Sequence, residues 1–86
     1  EPLAIYPQVL KNVRVTDKTQ AQNDADVRAM VERAAKELGT DGRILVRESG
    51  TEPLVRVMVE AGNVETCEKY VDAVIDVIRS KGYVIE

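Results

Sequence analysis

Within Arg47-Glu48-Ser49-Gly50-Thr51-Glu52-Pro53-Leu54-Val55-Arg56, two hydroxyls, a glycine and two guanidinium groups lie close together in the chain. These are the groups with which a polypeptide holds a phosphate. Ser49 and Thr51 bring hydroxyl donors, Gly50 leaves the backbone open to close approach, and Arg47 and Arg56 bring planar forks matched to an oxyanion. The same stretch is also sound turn chemistry: Gly for unusual dihedrals, Pro to end the loop, hydroxyls to satisfy backbone groups. Composition alone therefore leaves a plain turn open beside the anion site. Glu48 and Glu52 read as surface acids able to pair with the arginines.

Other chemistry is poorly supplied. The chain has no His, and Cys67, its one cysteine, falls on an apolar helical stripe with no base to activate it, so it reads as a core residue. A metal site without His would need clustered carboxylates, whereas the acids here are spread along helix faces, and Asp72 and Asp76 read as solvated. The candidate set is thus a phosphate-binding one, Arg47, Ser49, Gly50, Thr51 and Arg56, with no catalytic residue, metal ligand or cofactor expected in this chain.

The elements that must carry these residues follow from hydrophobic period. Arg43 to Glu48 and Leu54 to Glu60 alternate and are rich in β-branched residues, so they form a hairpin with a wider than minimal connection. If Ile44 and Val46 share a face with Val55, Val57 and Val59, then Leu45, Arg47, Arg56 and Met58 share the other. That register sets Arg47 against Arg56, and like charges so placed destabilise a sheet. A phosphate between them would turn repulsion into charge-assisted hydrogen bonds.

Upstream, Leu3 to Leu10 is apolar but interrupted by Pro7 and reads as a lead-in segment, followed by a strand at Val13 to Thr16 and a polar loop from Asp17 to Gln22. Val27, Met30, Val31, Ala34, Ala35 and Leu38 recur at helical spacing, between a cap at Asn23 or Asp24 and a stop at Gly39. A second helix runs from a cap at Asn63 to a stop at Gly82, with Val64, Cys67, Val71, Val74, Ile75 and Ile78 as its stripe. Tyr83 to Ile85 reads as a short last strand. The sum is an α+β two-layer domain: an antiparallel sheet of about four strands with two helices on one face.

At 86 residues the chain makes one small domain, 1–86, and its core must be aliphatic because Tyr6, Tyr70 and Tyr83 are its only aromatics. A net charge of −3 with mixed signs gives no broad basic surface, so neither nucleic acid nor membrane is expected as a partner. A lone cysteine and the absence of any long apolar run point to a cytoplasmic protein. The first residue is Glu, not Met, which sets the expectation of a piece cut from something larger.

The run from Arg47 to Pro53, continued by Leu54-Val55-Arg56-Val57-Met58-Val59-Glu60, resembles the C-terminal domain of the α-D-phosphohexomutase superfamily. Within it, Arg-Val-Met-Val-Glu and the opening Tyr6-Pro7-Gln8-Val9-Leu10-Lys11-Asn12-Val13-Arg14-Val15 resemble the phosphoglucosamine mutase branch, while Ser-Gly-Thr-Glu-Pro is shared with phosphoglucomutases and phosphomannomutases. The resemblance implies a TATA-box-binding-protein-like fold and a place as the fourth domain of a cytoplasmic isomerase. That enzyme would interconvert glucosamine 6-phosphate and glucosamine 1-phosphate, on the route to UDP-N-acetylglucosamine and peptidoglycan. It further implies that the magnesium ion and phosphoserine belong to earlier domains, that this chain alone is inactive, and that its partners are the phosphosugar and the other domains of the same enzyme. Arg47, Ser49, Gly50 and Thr51 map onto the family's phosphate loop. Arg56 is added from the hairpin register.

Overall fold

The computed structural model describes residues 6–85. In chain order they form strand β1 (Gln8–Arg14), helices α1 (Lys18–Asn23) and α2 (Ala25–Leu38), a short 3-10 turn (Gly39–Asp41), strands β2 (Arg43–Glu48) and β3 (Leu54–Glu60), and helix α3 (Val64–Ser80).

Strand β3 is central, with β1 and β2 antiparallel to it on either side. Its alternation explains why: Val55, Val57 and Val59 are fully buried on one face, while Arg56 is exposed on the other. Ile44 lies opposite Val59 and Val46 opposite Val57, as the alternation requires. Val13 joins them from β1, and α2 and α3 cover this face with Val27, Ala34, Leu38, Cys67, Val71, Val74, Ile75 and Ile78. Both main helices thus lie on one side. Among the described residues the other face of the sheet carries no helix, and it exposes Leu10 and Leu45.

Local signals set the helix ends. The Asp24 carboxylate accepts from the N–H groups of Asp26 and Val27, and the side-chain amide oxygen of Asn63 accepts from Thr66 N–H, so orphan amides of α2 and α3 are satisfied. After α3, Gly82 (φ 85°) donates to the Arg79 carbonyl and Tyr83 to that of Ile78, which closes the helix in a Schellman motif. The chain then turns back along β1: Thr16 donates to the Tyr83 carbonyl and Ile85 to that of Arg14.

Several expectations are corrected. The first strand starts at Gln8, directly after Pro7, so residues 8–10 belong to the sheet and not to a lead-in; residues 3–5 lie outside the described part. Val15 forms only an isolated bridge with Val84, which makes three strands plus a bridge where about four strands were expected. The polar stretch after Thr16 is the helix α1, capped by Asp17, whose carboxylate accepts from Gln20 N–H. Val64, the first residue of α3, and Ala35 fit their helical stripes by spacing, yet both are exposed. Tyr70 is buried instead, with its hydroxyl reaching out to donate to Glu37.

Candidate phosphate-binding site

The register places Arg47 of β2 directly opposite Arg56 of β3. Both side chains are exposed on the sheet face opposite α2 and α3, and sheet geometry sets their Cβ atoms about 4.5–5.5 Å apart. Asn12 of β1 is the third member of this row, opposite Arg56 on the other side.

Neither arginine has a carboxylate partner among the described residues. The contrast lies on the same face: at the far end of the sheet, Arg43 sits opposite Glu60 and forms an ion pair with it at 3.0 Å. Glu48 and Glu52 do not do this for Arg47 and Arg56, contrary to expectation. The pleat is the reason for Glu48, whose side chain leaves the opposite face and accepts from the Thr19 hydroxyl at 3.4 Å.

The loop between the strands is closed at its base. Ser49 N–H donates to the Leu54 carbonyl at 2.9 Å, Leu54 N–H to the Glu52 carbonyl at 2.8 Å, and Val15 N–H to the Pro53 carbonyl at 3.0 Å. Ser49 is buried, 9% exposed, and its Oγ accepts from the N–H groups of Thr51 and Glu52 at 3.4 and 3.3 Å. The serine is therefore an internal strut that shapes the loop. With its oxygen taken up by amides, its O–H proton is the group left to offer a ligand.

Gly50 answers a different demand. Its φ is not in the left-handed region, and a Cβ built there would meet nothing within 4 Å. Neither backbone conformation nor crowding in this chain requires glycine at that position. Gly42 is the opposite case, since a Cβ there would collide with the Glu60 carbonyl oxygen. Thr51 is exposed next to Gly50. Arg47, Ser49, Gly50, Thr51 and Arg56 are thus brought together at one end of the hairpin.

Helix α1 buttresses this end, and sequence reasoning missed it. Gln22 Oε1 accepts from the outward N–H of Glu48 at 3.3 Å, and Lys18 Nζ donates to the Ser49 carbonyl at 2.6 Å. The signal was Asp17 followed three residues later by Gln20, a capping pattern ahead of a stretch too short and polar to show a period. Three surface cavities of about 190–380 Å³ are lined by other parts of the chain, and none of the three involves residues 47–56. The described residues contain no group of three or more potential metal ligands.

This arrangement can grip an anion and contains nothing that would transfer one. Residues 10–77 match the family described as phosphoglucomutase/phosphomannomutase, C-terminal domain. The chain belongs to that family. Among curated relatives, the C-terminal domain is 80% identical to the phosphoglucosamine mutase of Lachnospira eligens over 98% of its own length, and 56% identical to that of Lachnoclostridium phytofermentans over 95%. It spans about a fifth of the length of these relatives, 19% and 18%. A solved N-acetylglucosamine-phosphate mutase of the α-D-phosphohexomutase superfamily, in its substrate complex, superposes with a TM-score of 0.70 at 27% identity, covering 85% of this domain and 15% of that chain.

Proposed function

We propose that this chain is the domain with which a phosphoglucosamine mutase grips the substrate phosphate that is not reacting. The observation that carries the reading is the opposition of Arg47 and Arg56, two arginines face to face with no carboxylate between them among the described residues. Such a pair is unfavourable in an empty sheet and favourable once a dianion bridges it, each charge-assisted hydrogen bond then contributing about 1.5–3 kcal/mol. Ser49, Gly50 and Thr51 complete the grip from the loop.

On this reading the chain is the last of four domains of a cytoplasmic isomerase that interconverts glucosamine 6-phosphate and glucosamine 1-phosphate through a bisphosphate. Magnesium and the phosphoserine would supply phosphoryl transfer from the earlier domains. The described residues contain no group of three or more potential ligands for that ion. What this domain must do is hold a phosphate attached to either end of the sugar, because the bisphosphate is turned end over end between the two transfers. Guanidinium forks, hydroxyls and backbone amides suit that task, since they read phosphate geometry and are indifferent to the carbon that bears it. Binding energy spent on the distant phosphate positions the reacting end and favours closure of the cleft.

The test is twofold. Titration of the labelled chain with inorganic phosphate and glucosamine 6-phosphate should give saturable amide shifts centred on Ser49, Gly50 and Thr51. In the full-length enzyme, Arg47→Ala should lower kcat/KM by about two orders of magnitude, a loss of about 2–3 kcal/mol of binding. An unchanged kcat/KM removes Arg47 from the site. Turnover of glucosamine phosphates against glucose and mannose phosphates decides between this enzyme and a phosphoglucomutase or phosphomannomutase.

A further inference from the structure

We propose that Lys18 is a positioning residue of the phosphate loop, one that fixes the Ser49–Gly50 peptide through the Ser49 carbonyl and so sets the direction of the Gly50 N–H. The inference rests on the phosphate-gripping reading and extends it to a residue of another element. Its basis is the 2.6 Å bond from Lys18 Nζ to the Ser49 carbonyl oxygen, made by a half-buried side chain.

Three of the other four lysines are engaged with side chains. Lys11 is paired with Asp72 at 2.8 Å, and Lys81 with Asp26 at 2.6 Å. Lys69 lies over the Tyr70 ring. Lys18 instead spends its charge on a neutral backbone oxygen and has no carboxylate partner among the described residues. An ammonium carries three donors, so this bond leaves two free.

The bond also has a direction that matters. Pulling the Ser49 carbonyl toward α1 fixes the peptide plane between Ser49 and Gly50, because carbonyl and following N–H lie antiparallel in a trans peptide. The Gly50 N–H is then turned away from the helix. Gln22 and Thr19, one turn or less along α1, hold the preceding residue Glu48 through its N–H and its carboxylate. α1 therefore clamps two consecutive residues of the loop, and Lys18 is the charged jaw of that clamp.

Steady-state turnover of glucosamine 6-phosphate by the full-length enzyme tests this, with Lys18→Met, Lys18→Arg, Lys36→Met and Arg47→Ala measured together. Lys18→Met should raise KM about tenfold with a smaller change in kcat, Lys18→Arg should restore most of the loss, and Lys36→Met, which removes an exposed charge from α2, should change neither. Wild-type kinetics for Lys18→Met beside an impaired Arg47→Ala would overturn the role of Lys18 and leave the phosphate reading standing. Wild-type kinetics for Arg47→Ala would overturn both. Equal impairment in Lys18→Met and Lys36→Met would overturn the proposal as a general charge effect. Should Lys18→Met fail to fold, Lys18→Gln, whose side chain is one bond too short to reach the Ser49 carbonyl, decides: a raised KM supports the positioning role, and wild-type KM overturns it.

Discussion

The hydroxyl of Tyr83 donates to the Asp24 carboxylate at 2.7 Å and so ties the last turn of the described chain to the first residue before α2. Asp24 is simultaneously the cap of α2, and Lys81 stands 3.9 Å from the same oxygen. One carboxylate therefore fastens a helix start, a phenol and a cation, and it belongs to the scaffold that holds α1 and its loop in place.

This knot makes stability depend on pH at both ends. The Tyr83 hydroxyl, with the cap amides and Lys81, holds the Asp24 carboxyl below its ordinary value of 3.8, and Tyr70 with Arg33 lowers that of Glu37 from 4.5. Depressed acids contribute stability that is complete above their unfolded values and is lost as pH falls through the folded ones. The phenols behave in the reverse sense: Glu37 raises Tyr70 and Asp24 raises Tyr83 above 10.0, so their contribution is complete below that value and is lost as pH rises through the folded ones. Urea midpoints measured from pH 2 to 11 should form a plateau that falls at each end, and Tyr83→Phe should lower the plateau and make the acid fall shallower. An acid limb unchanged in Tyr83→Phe would show that the bond does not couple to folding.

Glycine substitutions should separate fold from function. Gly42→Ala forces a Cβ onto the Glu60 carbonyl and should destabilise the domain by about 1–3 kcal/mol, as overpacking does. Gly50→Ala meets no atom and no forbidden dihedral, so its thermal midpoint should stay level or rise by the equivalent of about 0.4–1 kcal/mol. Phosphate affinity should nevertheless fall in Gly50→Ala. Calorimetry and phosphate titration on the two variants check the crossing, and a Gly50→Ala domain that unfolds early would contradict it.

Ser49→Ala should act on loop order before it acts on the fold. Removing the oxygen frees two amides, those of Thr51 and Glu52, both on exposed residues that water can solvate, so the cost should be about 1 kcal/mol or less. Amide exchange at Thr51 and Glu52 should accelerate, and phosphate shifts at those positions should weaken together. Unaltered exchange at both would mean that the serine is no strut.

The sheet was legible because alternation is unforgiving. Ile44, Val46, Val55, Val57 and Val59 have one arrangement that buries them all, and a slip of one residue would turn every valine of β3 to solvent. The Arg47–Arg56 opposition was available from the sequence for the same reason. α1 was not, since Lys18-Thr19-Gln20-Ala21-Gln22-Asn23 buries only Ala21 and has no apolar period to read. Lys18 and Gln22 remained hidden with it, because their partners are backbone atoms of Ser49 and Glu48, and no pairing of side-chain types announces such contacts. Val64 shows the converse error: helical spacing says which residues share a face and does not say which of them are covered.

The two arginines stand on strands with unequal tethers. β3 is hydrogen-bonded along both sides, whereas β2 has a sheet partner on one side only and relies on side chains such as Gln22 along its other edge. Edge segments open in local fluctuations, while central strands open with the whole domain. An anion seated between Arg47 and Arg56 would thus clasp a readily opening segment to the most persistent one. Ligand occupancy would then be felt as stiffness spreading outward from the middle of the sheet.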